Sequence, residues 1–393
     1  MRREWMFVPA LVIASALTGF IAWSGTALAL PVSIAMPALW SMARHRSTAA
    51  LVAATYFLAA SHGLPQGVAT YFQADLWLGI ILWLSASLAF VFVHWWLWTE
   101  RDDWSAAFRY GLIMLLLAVP PFGILGWAHP ITASGVVFPG WAWLGLAAMA
   151  AGLALMTTRY WPAAAVTLSG FWLWSAAFWS PLQVGEAWQG VDFAKGEDLG
   201  REMTLKRHRD LLASVVTGRL PERRVLVLPE SVMGFWTPTV SQFWQEKLRG
   251  AEVTIIAGAT IVARDGYDNV MVSVTADEAA VLYRQRMPVP VAMWRPWLPW
   301  TGEGGGAQAH LFGPAVADIA GSRVAILICY EQLIVWPILQ SMLHAPDRIV
   351  LVGNGWWTAG TNIVDIQRAS AEAWSKLFAV PLVLSFNTET SEP

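Results

Sequence analysis

Only 12 of the chain's 52 formally charged side chains fall within the first 185 of its 393 residues. Nearly half the chain therefore lacks the charged surface of an ordinary soluble domain. All four lysines (Lys195, Lys206, Lys247 and Lys376) lie beyond residue 190, in a chain that is 56% hydrophobic overall. Within the charge-poor half, apolar stretches recur at 6–24, 27–43, 48–72, 76–98, 107–128, 141–158 and 161–180. Their lengths approach what a helix needs to cross a bilayer core. The sequence thus predicts a seven-span helical membrane domain over 1–181 and a water-facing domain over 182–393. The third stretch contains Ser61-His62-Gly63-Leu64-Pro65 and reads as a broken or re-entrant helix. Pro120-Pro121 is expected to kink or end the fifth.

The basic residues give an orientation. Arg2 and Arg3 precede the first stretch, and Arg44 and Arg46 lie between the second and third. Arg101 and Arg109 fall between the fourth and fifth, and Arg159 between the sixth and seventh. The alternate connections, around Gly25, Gln73 to Asp75 and His129 to Gly140, contain no Lys or Arg. Basic loops stay cytoplasmic, so seven spans carry the second domain across the inner membrane, into the periplasm of a Gram-negative cell. Residues 1–29, with a basic start and Ala27-Leu28-Ala29, have a second reading as a cleaved signal peptide. Tryptophans such as Trp95, Trp96 and Trp98 read as interfacial anchors. A net charge of −2 gives no reason to expect nucleic-acid contact.

Beyond residue 182 the pattern becomes α/β. Candidate strands are Arg224–Leu228, Val253–Ala257, Asn269–Val274, Ala280–Arg284, Val324–Ile328, Ile349–Val352 and Pro381–Ser385. Mixed-charge helical segments cover 198–216, 240–249 and 364–378, which points to a single layered domain. The segment 287–314 interrupts it with Met287, Pro288, Trp294, Trp297 and Trp300, then Gly302-Glu303-Gly304-Gly305-Gly306. Two readings stand there, a lid over an apolar substrate and ordinary packing against the first half.

The chemistry-bearing residues sit at strand ends. The chain's one cysteine, Cys329, closes the apolar run Val324-Ala-Ile-Leu-Ile and is followed by Tyr330 and Glu331. A lone thiol in such a place is either buried filler or a nucleophile. Glu230 ends a similar run, Val225-Leu-Val-Leu-Pro229. It reads either as a solvated or capping carboxylate or as a base whose pKa burial raises. No cofactor or metal is expected: the seven histidines are scattered singly, and Gly304-Gly305-Gly306 lacks the lysine of a phosphate loop.

The blocks Leu228-Pro229-Glu230, Tyr283-Arg284-Gln285-Arg286 with Val289-Pro290, Ile328-Cys329-Tyr330-Glu331 and Asn354-Gly355-Trp356-Trp357 stand in an order that resembles the nitrilase, or carbon–nitrogen hydrolase, superfamily. Apolar spans ahead of such a domain look like its membrane-bound apolipoprotein N-acyltransferase branch. Chain length and the wording from Pro288 to Trp297 look closest to the plasmid conjugal-transfer TraB proteins, a divergent branch of that lineage. The resemblance implies an αββα sandwich with Cys329 as nucleophile, Glu230 as general base and Glu331 as a supporting carboxylate. Tyr283, Tyr330, Asn354, Trp357 and Trp294 are the implied pocket lining. The family's lysine falls at Gln285, a neutral amide of shorter reach. Arg284 and Arg286 flank it but point away on an extended chain. The acyltransferases have a glutamate where this chain has Met293, and a last membrane span where it has Asn387 to Pro393.

Three functions compete at this level. The first is a thiol acyltransferase that takes an acyl group from a membrane lipid onto Cys329 and passes it to a protein, peptide or other amine acceptor. The second is an amidase anchored at the membrane. The third is a non-catalytic membrane component of a conjugal-transfer apparatus.

Overall fold

The computed structural model describes residues 2–388 except 102, 181, 183, 184, 186, 201, 202, 217–223, 302 and 303. The chain divides into two compact units. One is Met1–Leu182 with Leu333–Trp336 and Gly360–Val380; the other is Gln183–Gln332, Pro337–Ala359 and Pro381–Pro393.

The first unit is helical, and it corrects the expectation of a multi-span α-helical membrane domain. Among the described residues, one helix, Leu76–Leu97, is long and apolar enough to cross a membrane. Other apolar helices are shorter: Phe7–Ala22, Ala27–Ser41, Trp104–Ala118 and Ala142–Leu155. At 1.5 Å per residue, a helix of 15 residues reaches roughly 22 Å, short of a hydrocarbon core of about 30 Å. Local chemistry explains the shortening. Residues Ala27–Ile34, with Pro31 inside, form a tight 3-10 helix before the α-helix Ala35–Ser41 begins. The stretch 48–72 breaks at Ser61 to Gly63 into helices Arg46–Ala60 and Leu64–Phe72. The helix from Trp104 stops at Ala118, just before Pro120-Pro121. The breaks at Ser61 to Gly63 and before Pro120 are those the sequence predicts, whereas the 3-10 segment Ala27–Ile34 is not.

Buried aromatics hold this unit together. The Trp23 indole N–H donates to the Tyr56 hydroxyl at 2.9 Å, and that hydroxyl donates to the Ala128 carbonyl at 3.0 Å. The late helix Ile363–Phe378 belongs here too, since a Cβ on Gly135 would stand 1.6 Å from its Ala373 carbonyl oxygen. Only a residue without a side chain fits that crossing.

The second unit is built on two sheets. The first contains β1 (Trp188–Gly190), β2 (Arg224–Val227), β3 (Val253–Ala263), β4 (Gly266–Val274) and β5 (Ala279–Arg284) in that order, with β6 (Gly306–Ala307) on the end of β4. The second contains β7 (Ala317–Ile319), β8 (Ser322–Ile328), β9 (Arg348–Asn354) and β10 (Leu382–Asn387), ordered β10-β9-β8-β7. The seven strands read from the sequence are all present; the three short ones, β1, β6 and β7, carry no apolar run to announce them.

Strand periodicity decides the layers. Val225 and Val227 of β2 join Ile256, Met271 and Tyr283, and meet Ile326, Ile328, Val350 and Val352 of the other sheet. Leu226 and Leu228 face the opposite way, with Ile255, Val270 and Val272, onto Trp244 and Leu248 at the end of helix Pro238–Lys247. The β8 run Val324 to Ile328 is buried throughout, as a strand covered on both faces must be. Parallel pairing of β2 with β3, and of β8 with β9, points those strands the same way within each sheet. Glu230, Cys329 and Asn354 therefore all lie at or just past carboxyl-terminal strand ends.

Candidate active site

Cys329 begins a 3-10 turn, Cys329–Gln332, directly after β8. Its φ is +50°, the left-handed region that a non-glycine residue rarely occupies. Such a conformation costs on the order of 1–3 kcal/mol and persists where the surroundings enforce it. The thiol is 6% exposed and hydrogen-bonds to the Glu230 carboxyl.

Glu230 is buried past the end of β2. Its Oε1 accepts from the Asn269 side-chain amide at 2.7 Å, and its Oε2 accepts from the Asn354 backbone N–H at 3.0 Å. Burial pushes its pKa up to about 7. Hydrogen bonds from Asn269, Asn354 and Cys329 oppose that rise, and the nearby Glu331 charge adds to it. A carboxyl poised near neutrality, in hydrogen-bond reach of a thiol, suits a general base.

Gly258 of β3 makes room for this placement. A Cβ there would lie 2.5 Å from both the Glu230 Cα and the Ser231 backbone nitrogen. Gly258→Ala is expected to displace Glu230 and to slow Cys329 alkylation at pH 7 by about tenfold or more, given the steep distance dependence of proton transfer. Alkylation rates read by mass spectrometry check it.

Gln285 is fully buried beside these groups. Its Nε2 donates to the Ile328 carbonyl at 3.0 Å, immediately before Cys329, and its Oε1 accepts from Asn269 Nδ2 at 2.8 Å. The amide thus stands next to Cys329. Neither flanking arginine shares its partners. Arg284 pairs with Asp268, which also meets His310 Nε2 at 2.7 Å. Arg286 is buried, with Nε donating to the Tyr283 hydroxyl at 2.8 Å, Nη1 to Gln340 at 2.9 Å and Nη2 to Ser341 at 3.0 Å.

Glu331 is also fully buried. Its Oε1 accepts from the Tyr283 hydroxyl at 2.8 Å and from the backbone N–H groups of Arg286 at 2.6 Å and Met287 at 3.1 Å. Its Oε2 accepts from the Ile328 N–H at 2.7 Å. Burial raises its pKa, opposed by the Arg286 charge and these donors. The carboxyl ties the end of β5 to the end of β8 and so fixes the turn that presents Cys329.

The remaining pocket residues divide. Tyr283 belongs to the Glu331 network and Asn354 to the Glu230 network, with Asn354 Oδ1 accepting from Asn387 at 2.7 Å. Tyr330 is buried in the turn beside the thiol. Trp357 lies in the 3-10 turn Trp356–Thr358 after β9. Trp294 sits in the loop after β5, its backbone N–H bonded to Val289 at 3.0 Å, and takes no part in the hydrogen bonds around Glu230 and Glu331. In the same segment Met287 is buried, whereas Trp300 and Phe312 are 86% and 83% exposed. Gly302 and Glu303 lie outside the described residues, as do residues 389–393 where the family's last span was compared.

Sequence reasoning missed Asn269, which bridges Glu230 and Gln285. Its only linear signal is an amide directly before the largely apolar run Val270–Val274.

A family model for carbon–nitrogen hydrolases matches residues 58–376. Over 388 residues the chain is 57% identical to the "Probable conjugal transfer protein TraB" of Sinorhizobium fredii, covering 99% of this chain and 100% of that one. It is 54% identical over 397 residues to the "Conjugal transfer protein TraB" of Agrobacterium fabrum, covering 98% and 94%. A solved carbon–nitrogen hydrolase from Helicobacter pylori is 15% identical, with TM-score 0.33 over 50% of this chain and 71% of that one.

Proposed function

The chain belongs to the carbon–nitrogen hydrolase family, and on that premise we propose that it is a thiol acyltransferase acting in conjugal plasmid transfer, with Cys329 as the acyl carrier. The observation that carries the reading is the Cys329 thiol hydrogen-bonded to a buried Glu230 whose pKa is raised to about 7. In this reaction Glu230 takes the thiol proton as sulfur attacks the ester carbonyl of a membrane lipid. The oxyanion forms within reach of the Gln285 amide, a neutral donor. Collapse expels the alkoxide, which takes the proton from Glu230, and leaves a thioester on Cys329. An amine on a protein or peptide then attacks the thioester, giving its proton to Glu230 and from there to the departing thiolate.

The lipid donor fits a membrane location through the helix Leu76–Leu97, which leaves Leu76, Trp77, Leu84, Leu88 and Trp96 exposed.

Intact-mass spectrometry of the full-length protein purified in native lipid, beside Cys329→Ser, tests the chemistry. A hydroxylamine-labile acyl adduct on wild type and none on the variant is the expected result. No adduct on a folded protein whose thiol still alkylates would sink the lipid reading. A second reading, a non-catalytic transfer component, draws on the neutral Gln285, whose Nε2 already bonds to the Ile328 carbonyl. In that case Cys329→Ala would leave plasmid transfer unchanged.

A further inference from the structure

The Asn269 side chain stands out by what it joins and by what it leaves open. From β4 its Nδ2 donates one N–H to Glu230 Oε1 at 2.7 Å and the other to Gln285 Oε1 at 2.8 Å. Both donors are thereby spent on groups of the candidate site. Its Oδ1 is buried without a hydrogen-bond partner, so the side chain carries an unrecovered desolvation cost. Packing alone would favour an apolar residue, because Asn269 is 2% exposed and Met271, next along the same strand face, lies in an apolar core. The backbone fixes the pairing further, since the Gln285 N–H donates to the Asn269 carbonyl at 2.9 Å.

We propose that Asn269 is a positioning residue that couples the general base to the neutral donor: one amide holds Glu230 toward the thiol and turns the nitrogen of Gln285 toward Cys329. The inference rests on the assignment of Glu230 as base to Cys329. Two consequences follow from donor and acceptor chemistry. With Gln285 Oε1 accepting from Asn269, the Gln285 nitrogen must point the other way, where it meets the Ile328 carbonyl beside the nucleophile. And an N–H donated to Glu230 favours its carboxylate form, so the base stays ionised at a lower pH than burial alone would permit. The other groups facing Glu230 are the Asn354 N–H from β9, the Cys329 thiol and the Glu331 charge from the turn after β8, with Arg286 beyond Glu331. Among these Asn269 is the side chain that touches both Glu230 and Gln285.

The test is the pH profile of Cys329 alkylation by iodoacetamide, read by intact mass on the full-length protein from pH 5 to 9. Wild type, Asn269→Ala, Asn269→Ser and Glu230→Gln are compared. In wild type the rate is expected to climb through a midpoint set by Glu230. Asn269→Ala should move that midpoint upward, cutting the rate at pH 6.5 about tenfold and recovering it above pH 8. Asn269→Ser, which keeps a hydroxyl donor, should fall between the two and serves if the alanine variant does not fold. An unmoved midpoint in either folded variant overturns the inference. The base assignment fails separately: Glu230→Gln would then keep the wild-type limb, whereas its loss with an unmoved Asn269 profile rejects Asn269 alone.

Discussion

Glu230→Gln is expected to slow Cys329 chemistry by about a hundredfold to ten-thousandfold, the span that a positioned base contributes. The substitution preserves shape and leaves the Asn269 amide an acceptor in place of the lost Oε1, but no group remains beside the thiol to take its proton. It also changes how stability follows pH. Glu230 binds its proton more tightly in the folded protein, with a pKa of about 7, than as an ordinary carboxyl near 4.5. Between those values the folded state keeps a proton that the unfolded chain has released. Stability from this group is therefore fullest below about 4.5 and is lost as pH rises through about 7. Glutamine does not titrate, so the variant should gain on wild type across that window in denaturant unfolding. Glu331, shifted in the same direction, leaves a slope of the same sign in both proteins. A variant that alkylates at the wild-type rate would remove Glu230 from the mechanism.

The ends of apolar strands singled out Cys329 and Glu230, with bland readings open for both, and the resemblance to the family supplied their roles. Glu331 entered through the resemblance to the family, two residues after the thiol. Asn269 was not legible: its meeting with Glu230 depends on the register that sets Thr260 against Asn269 across β3 and β4, and its meeting with Gln285 on the bulge at Met271/Val272 between β4 and β5. Such non-local pairing leaves no periodic trace. Arg286 was read as pointing away from Gln285, which it does, but the strand ends at Arg284, so strand alternation could not say where it went. The strands themselves were readable as short β-rich apolar runs separated by polar helical segments. The seven spans were overcounted although the sequence does mark the Ser-His-Gly corner and the proline pair as breaks, because apolar composition does not reveal that Ala27–Ile34 is a 3-10 segment or that the helices between the breaks stay short. The late helix Ile363–Phe378 shows the same limit in the other direction. Its sequence places it with the α/β half, but its packing assigns it to the helical unit.

Glu331→Ala should be the most destabilising single change at the site. The alanine removes acceptors from the Tyr283 hydroxyl and from the N–H groups of Arg286, Met287 and Ile328, all buried. It also strips the opposing charge from Arg286, which reaches Glu331 through the Tyr283 hydroxyl and is itself fully buried. Breaking a buried charge network by deleting one partner typically costs about 3–5 kcal/mol. The loss should appear as a lower denaturant midpoint with an unchanged slope. Glu331→Gln separates shape from charge. It keeps one acceptor for the Tyr283 side, but its amide nitrogen then confronts the Ile328 N–H, so roughly half that loss is expected, about 2 kcal/mol. Because Ile328 immediately precedes the strained Cys329, the glutamine variant should also slow alkylation even where it is fully folded. Equal stability in Glu331→Ala and wild type would mean that the turn after β8 is held by other contacts, and that the left-handed φ of Cys329 does not depend on this carboxylate.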